Sequence, residues 1–436
     1  MSNTNWMSHG PSLLTLALLV PVVVAGCQPP ADSDPVEADS DSVEEVGSAD
    51  QALGNACAAH EGKRLYREET FGGNGRTCLT CHSDATGTLN PADVQARFAA
   101  DPNDPLFLHD GLDTFDGQGT TRILSNATIL VPMKLPANIL LASDPSATKI
   151  FLQRGIPTTK NSPALDPVLM YDGRAASLTG QAKGAIFGHA QATIQPTPDQ
   201  LALIADHEKS TSFFTSWALR SYADGGPAPA LPPGNSPSQA RGRKFFVDAP
   251  VPFALSAQSS RQGLCSQCHS GPLLNQSNGF GHLPLPPFPT SPAQTSCAQP
   301  ATGGNPVPAG ERFASALVSE LNEGQTPTFD FLLKLPNGDT VPLPPMADPG
   351  RALVTGNFKG FPAVDGDLFK FKIPILRGVK KTAPYFHDNS AKTLEDVVAH
   401  YATFFALATD CNIDGDPPLI LTAQDQADIV AYLKLL

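Results

Sequence analysis

Cys78-Leu79-Thr80-Cys81-His82 and Cys265-Ser266-Gln267-Cys268-His269 are two copies of one pentad, C-x-x-C-H, and they decide how the other residues are read. Two thiols three residues apart on a helical turn reach the two vinyl groups of one porphyrin, and the adjacent histidine is carried beneath it to ligate the iron. The pentad is the attachment signature of c-type haem. Two haem c groups are therefore expected, held covalently by Cys78, Cys81, Cys265 and Cys268, with His82 and His269 as axial ligands. A Cys-His zinc site would need a further ligand cluster nearby, and none is obvious.

Upstream of each pentad stands a weak repeat, Gly62-Lys63-Arg64-Leu65-Tyr66 before the first and Gly242-Arg243-Lys244-Phe245-Phe246 before the second. Each reads as the end of an N-terminal helix packing on its own haem domain. The Pro/Gly-rich stretch from Gly225 to Pro237 can sustain no helix and separates the two. The expected fold is mainly α: two cytochrome c-like domains in tandem, 51–225 and 238–436, joined by a linker at 226–237. With 43 Pro and 36 Gly, long irregular connections are expected between the helices.

The clearest local pattern lies near the end of the chain. Thr393-Leu394-Glu395-Asp396 is a Thr-x-x-acid helix start, after which Leu394, Val397, Val398 and Tyr401 fall on one face. Thr422-Ala423-Gln424-Asp425 opens a closing helix with Ile429, Val430 and Leu433 aligned. On pattern alone Tyr401 is a core residue, and His400 is off that face.

The chain has 436 residues, 41% of them hydrophobic, and its 42 acidic against 29 basic residues give a net charge of −13, which argues against a nucleic-acid partner. The apolar run Ser12–Gly26 ends in Val24-Ala25-Gly26-Cys27 and is too short to span a bilayer comfortably. It reads as a secretory h-region of lipoprotein type, with 1–27 as signal and Cys27 as the lipidated first residue of the mature chain. The first 62 residues contain no Lys or Arg, a departure that leaves an ordinary cleaved signal as the alternative. Residues 28–50 carry eight acids and no base, the composition of a disordered tether. The expected location is the periplasm or cell envelope, with membrane contact through the lipid alone. Of the cysteines left over, Cys57, Cys297 and Cys411, one disulfide is expected in an oxidising compartment, first between Cys297 and Cys411.

Tyr171-Asp172-Gly173-Arg174, Gln181-Ala182-Lys183-Gly184, and Phe371-Lys372-Ile373-Pro374-Ile375-Leu376-Arg377 running into Thr382-Ala383-Pro384-Tyr385-Phe386-His387-Asp388 carry a further signal. With both haem motifs in order, the chain resembles the bacterial di-haem cytochrome c peroxidase family over roughly 55–436. That family includes MauG-like enzymes that oxidise protein side chains. The loops at 83–160 and 271–360 match poorly.

The resemblance implies that hydrogen peroxide binds at the haem on His82 and that the haem on His269 stores or relays an electron. Tyr171 stands where the family has its inter-haem tryptophan and would be the hopping station. Asn161, with the backbone oxygens of Thr382 and Pro384, matches a calcium site. Tyr401, fourteen residues after His387, takes the place of a methionine ligand on the second haem; a hard phenolate there favours higher iron oxidation states. His400 is the fallback ligand. Arg174, Arg377 and His387 are candidates for the haem propionates or their surroundings. The family's acid–base glutamate falls at Gln191, which cannot accept a proton at neutral pH. His189 is the nearest titratable group and could replace it only from a loop, while Gln181 would orient distal water or oxidant. His109 reads as a packing histidine more readily than as a ligand.

The implied activity is that of an oxidoreductase using peroxide and drawing electrons from a donor too large to enter. That donor is either a partner protein whose side chains are oxidised or a small redox protein. A non-catalytic di-haem electron carrier is the reading from another class, and Gln191 is its best argument.

Overall fold

The computed structural model describes residues 40–114, 117–248, 262–279, 308–321, 326–359, 366–410 and 419–436. The signal segment, Cys27, the tether through residue 39, Cys297 and Cys411 lie outside them. The chain forms two compact units, Met1–His60 and Glu61–Leu436.

The first unit is described from Ser40, where helix α1 (Ser40–Arg67) begins. The disordered tether expected to run through residue 50 is therefore helical from Ser40. Ala52, Ala56, Ala58 and Ala59 favour that conformation. Cys57, which the sequence left without an assignment, is disulfide-bonded.

The second unit continues through α2 (Cys78–Cys81), α3 (Pro91–Ala100), α4 (Thr121–Asn126), β1 (Thr128–Lys134), β2 (Ile139–Leu141), β3 (Lys149–Gly155), α5 (Ser162–Leu165), α6 (Leu178–Gly188), α7 (Pro198–Glu208), α8 (Trp217–Ala223) and α9 (Pro237–Arg243). Then come β4 (Phe313–Ala314), α10 (Val318–Leu321), β5 (Phe331–Lys334), β6 (Thr340–Pro342), α11 (Ala352–Thr355), β7 (Phe371–Lys372), α12 (Leu394–Asp410) and α13 (Ala423–Leu433). The mainly helical expectation holds.

Side-chain caps set the helix starts. Ser177, Thr197, Ser216, Ser236 and Thr422 each accept a backbone N–H of the first turn of α6, α7, α8, α9 and α13. At α12, Thr393 and Asp396 cap reciprocally: Asp396 N donates to Thr393 Oγ1 at 3.1 Å and Thr393 N to Asp396 Oδ2 at 2.9 Å.

The repeat upstream of each haem motif becomes a repeated helix crossing. A Cβ on Gly62 would lie 2.4 Å from the Leu203 carbonyl of α7, and one on Gly242 would lie 2.0 Å from the Asp428 carbonyl of α13. Four residues on, Tyr66 packs on His207 with centroids 5.3 Å apart, and Phe246 on Tyr432 at 5.5 Å. Glycine is needed at each crossing because the backbones touch there. Gly242→Ala should cost about 1–3 kcal/mol, the usual cost of overpacking, read as a lower midpoint in thermal unfolding of the holoprotein.

Each crossing sits in its own core. Leu65, Tyr66, Ala182, Ile186, Leu201 and Ile204 cluster around the first, and Phe245, Phe246, Val398, Ile429, Tyr432 and Leu433 around the second. A third core ignores the expected division at 226–237: Leu106, Ile123, Val131, Ile150 and Leu152 pack with Phe331, Met346, Leu353 and Phe369. The poorly matching loops at 83–160 and 271–360 contain the strands of this core. β1 pairs antiparallel with β3 from Thr128↔Gly155 to Lys134↔Lys149, while β2 joins β5 and β6 in a three-stranded sheet. Pro132 can lie inside β1 because that strand pairs on one side only.

Candidate functional site

The first pentad forms α2, so Cys78 and Cys81 stand on one turn with His82 just beyond it. His82 Nδ1 donates to the Gly87 carbonyl at 2.8 Å, which fixes the tautomer and leaves the Nε2 lone pair for a metal. Burial lowers the tendency of this ring to protonate, which keeps Nε2 able to ligate a metal. The second pentad repeats the arrangement: His269 Nδ1 donates to the Leu274 carbonyl at 3.0 Å, again five residues on, and burial pulls the ring's pKa down to about 4. All four pentad cysteines are free thiols, and burial pushes Cys81 up to about 11. Unpaired thiols beside a neutral imidazole with one committed nitrogen fit covalently attached haem at both places.

Beside the first pentad lies a cavity whose empty space, mouth included, is about 1290 Å³. Cys78, Cys81 and His82 line it, together with Tyr171, Arg174, Gln181, His189 and Lys372. Tyr171, Gln181 and His189, singled out in the sequence, thus line one cavity. Arg174 enters it with Nη1 held between both oxygens of Asp172 at 2.9 Å, and Lys372 with Nζ on Asp166 at 2.7 Å. Both cations are thus paired with carboxylates of the chain at the cavity wall.

Gln191 is not in the cavity. It is exposed, adopts φ +52°, and accepts a bond from Asn74 Nδ2 at 3.2 Å. His189 instead caps the end of α6, and its Nδ1 donates to Asp110 Oδ2 at 2.5 Å. Asp110 is itself buried against Arg76. Burial disfavours its ionisation, but the bond from His189 and the charge of Arg76 outweigh that and hold the carboxyl below its usual range. His109, next to Asp110, is not among the residues that line the cavity.

Asp110, Arg76 and Glu208 are lining or supporting groups that the sequence reading missed. Glu208, at the end of α7, lines the cavity; burial raises its pKa to about 8, and Oε2 has no hydrogen-bond partner. The capping box at Thr197 and Gln200 was the available signal, since it sets the helix length that buries residue 208.

At the second pentad Tyr401 faces His269 in a T-shaped pair, centroids 6.5 Å apart, within a cluster formed by Phe386, Phe404 and Phe405. Burial, with the Cys268 and Cys265 thiols beside it, pushes its phenol well above the usual value. The fallback His400 has Nε2 committed to the Ala316 carbonyl at 2.7 Å.

An aromatic series links the two places. Tyr171 lies 6.4 Å from His387, His387 stacks on Phe371 at 3.9 Å, and Phe386, the residue before His387, lies 6.3 Å from Tyr401. His387 is therefore a packing group beside Tyr171, its Nε2 within 3.2 Å of Ser319 Oγ.

Arg377 is tied to backbone oxygens. Its guanidinium donates to the carbonyls of Pro272, Ala230 and Pro229 and ties the linker down. Of the expected calcium ligands, the Asn161 side chain is already engaged. Asn161 Oδ1 accepts from Thr215 N at 2.9 Å and Oγ1 at 3.2 Å, its Nδ2 donates to the Arg377 carbonyl at 2.9 Å, and Thr382 Oγ1 donates to the Val379 carbonyl. Among the described residues no three His, Cys, Asp or Glu side chains gather as a metal site.

No protein-family model matches the chain. Over 70 residues, 16% of its length, it is 41% identical to the cytochrome-c peroxidase IdrP1 of Denitromonas iodatirespirans. Over that stretch the chain is similar to a cytochrome-c peroxidase. The match spans 18% of that peroxidase's length. Among solved structures, a MauG-like protein associated with microbial copper homeostasis aligns over 87% of this chain and 89% of its own, with TM-score 0.43 and 16% identity. The diheme peroxidase BthA of Burkholderia thailandensis aligns over 86% and 85%, with TM-score 0.42 and 15% identity.

Proposed function

We propose that this chain is an exported, lipid-anchored di-haem oxidoreductase that reduces hydrogen peroxide at the first cavity. It draws the electrons from an external protein through the second site. The observation that carries this reading is the difference between two otherwise repeated sites. The first opens into a cavity lined by the imidazole of His189, whereas the second has Tyr401 packed against its histidine. Haem c, when bound, supplies the iron that takes up peroxide and passes on electrons.

The chain's own groups account for the rest. His189 accepts and returns the peroxide proton, Gln181 orients the oxidant by hydrogen bonds, and Arg174 and Lys372 neutralise carboxylates at the cavity wall. Overall, hydrogen peroxide, two protons and two electrons give two waters. Tyr171 and the aromatic series through His387 and Phe386 to Tyr401 supply the route for the electrons. A tyrosine at 401 favours a strongly oxidising second site, and so a MauG-like oxidation of side chains on a partner protein. The lipid anchor at Cys27 and the periplasm or cell envelope belong to this reading on the signal pattern. Among the described residues no helix is long and apolar enough to cross a membrane. Calcium belongs to it on the resemblance alone, since binding would displace bonds that Asn161 already makes.

The test is the optical and EPR spectrum of the holoprotein before and after stoichiometric peroxide. A high-spin ferric signal beside a low-spin one, with the first lost on peroxide addition, is the expected result. Two low-spin haems unchanged by peroxide would make the protein an electron carrier.

A further inference from the structure

Outside the residues already given a role, one buried cluster faces the first cavity. Arg76 and Asp110 are 2% and 1% exposed at their side chains, and both sit behind His189. Arg76 is held by five acceptors besides any contact with the cavity: Asp110, the carbonyls of Pro105 at 2.8 Å, Leu106 at 3.0 Å and Leu108, and the carbonyl of His189 itself at 3.1 Å. Asp110 lies on a 3₁₀ turn, His109–Gly111, whose own carbonyl accepts from Arg122 Nη2 at 2.9 Å. Gly111 permits the turn, because a Cβ there would lie 2.1 Å from the Leu106 carbonyl. So many constraints on one carboxylate leave it a single orientation, with Oδ1 on Arg76 and Oδ2 on His189.

We propose that Asp110, fixed by Arg76, is the positioning residue that makes His189 the acid–base group of the first cavity, in place of the carboxylate that Gln191 lacks. The inference rests on the peroxidatic reading above. By accepting from Nδ1, Asp110 leaves Nε2 as the nitrogen without a proton, and its charge stabilises the ring once Nε2 is protonated. In the step, a peroxide proton moves from the oxygen nearer the first site to Nε2 and then to the farther oxygen. The O–O bond breaks with its electron pair going to that farther oxygen, which leaves as the first water, and two electrons from the external donor with two protons from solvent turn the nearer oxygen into the second. No proton is consumed in the relay. The other titratable and charged groups around His189 are His109 beside Asp110, His82 across the cavity, and Arg174, Lys372 and Glu208 on its wall.

The test uses the holoprotein and two probes. Fluoride, an anion held by a hydrogen bond from a protonated ring, should bind the ferric first site more weakly as pH rises through a midpoint. The bimolecular rate with peroxide should fall as pH drops through the same midpoint. In Asp110→Asn, loss of the carboxylate charge should move both midpoints down by about one pH unit or more and slow the peroxide step about 10–100-fold, whereas Asp110→Glu should stay near the wild type. His189→Gln should remove the midpoint. If Asp110→Asn fails to fold, Asp110→Ser, which also removes the charge, carries the same test in the same direction.

Unchanged midpoints in Asp110→Asn would reduce Asp110 to a structural role, and an unchanged profile in His189→Gln would remove His189 from proton transfer. Either result overturns the proposal, as does a first site that binds no fluoride at any pH. Fluoride midpoints that move as expected, in a protein indifferent to peroxide, would instead sink the peroxidase reading and leave the pair standing.

Discussion

Replacing Arg154 with leucine should destabilise the folded chain by about 3–5 kcal/mol, the cost of leaving buried carboxylates without their cation. Arg154 lies on β3, is 1% exposed, and binds two acids from distant segments. Its Nη1 donates to Asp172 at 2.5 Å, and its Nε and Nη2 donate to Asp348 at 2.7 and 2.9 Å. Asp172 also carries Arg174, and Asp348 accepts Gly350 N at 2.8 Å, so one guanidinium organises the wall of the first cavity and the turn before α11. Burial alone would raise the Asp172 carboxyl; Arg154 and then Arg174 overcome it and hold the group below its usual range. A carboxyl depressed in the folded state adds stability that is full above the ordinary carboxylate range and fades as pH falls through the depressed value.

The difference between wild type and Arg154→Leu should therefore be largest near neutral pH and shrink in acid. For a unit of this size the melting temperature should fall by roughly 4–6 °C near pH 7. Scanning calorimetry of both holoproteins at pH 7 and pH 4 checks it. Equal melting points at pH 7 would mean that water reaches Asp172 and Asp348 freely. The triple change Arg154→Leu, Asp172→Leu and Asp348→Leu should recover part of the loss, because no charge is then left buried.

Sequence patterns were most legible where chemistry and local geometry coincide. The spacing of Cys78, Cys81 and His82 survives folding because a single helical turn fixes it. The five-residue return from His82 to Gly87 and from His269 to Leu274 follows from the same local chain. The starts at Thr393 and Thr422 were visible because capping is a three-residue event. Gly62 and Gly242 were visible only as a repeat; their reason, a backbone crossing with α7 and α13, needs partners more than a hundred residues away.

What stayed hidden depends on long loops. Arg76 meets Asp110 across 34 residues and Asp110 meets His189 across 79, through a segment with no periodicity. The resemblance put Gln191 in the cavity, but a left-handed backbone at that residue turns it to Asn74 and leaves His189 facing inward. Strands β1 and β3 were obscured by Pro132 and by the fourteen residues between them, which include β2, and the β2–β5 pairing joins halves that the Pro/Gly-rich stretch seemed to part.

Changing Tyr401 to methionine should raise the midpoint potential of the second haem by on the order of 0.1–0.3 V, since a soft thioether favours the reduced metal and a phenolate the oxidised one. The site makes this a clean exchange. Tyr401 sits on the inner face of α12 between Phe404 and Phe405, where a flexible thioether can fill the space without forcing the helix to move. Its phenol is buried beside thiols rather than beside a cation, which is why its ionisation is opposed in the polypeptide alone. Only a nearby positive charge would favour the phenolate, and iron held by His269 would be such a charge. Redox titration of both proteins, followed optically, reads the shift directly. With Tyr401→Met, oxidation of a bound partner's side chains should weaken while uptake of peroxide at the first cavity stays as it was. A second-haem potential that does not move would show that Tyr401 is a core residue and that the second iron takes its sixth ligand elsewhere.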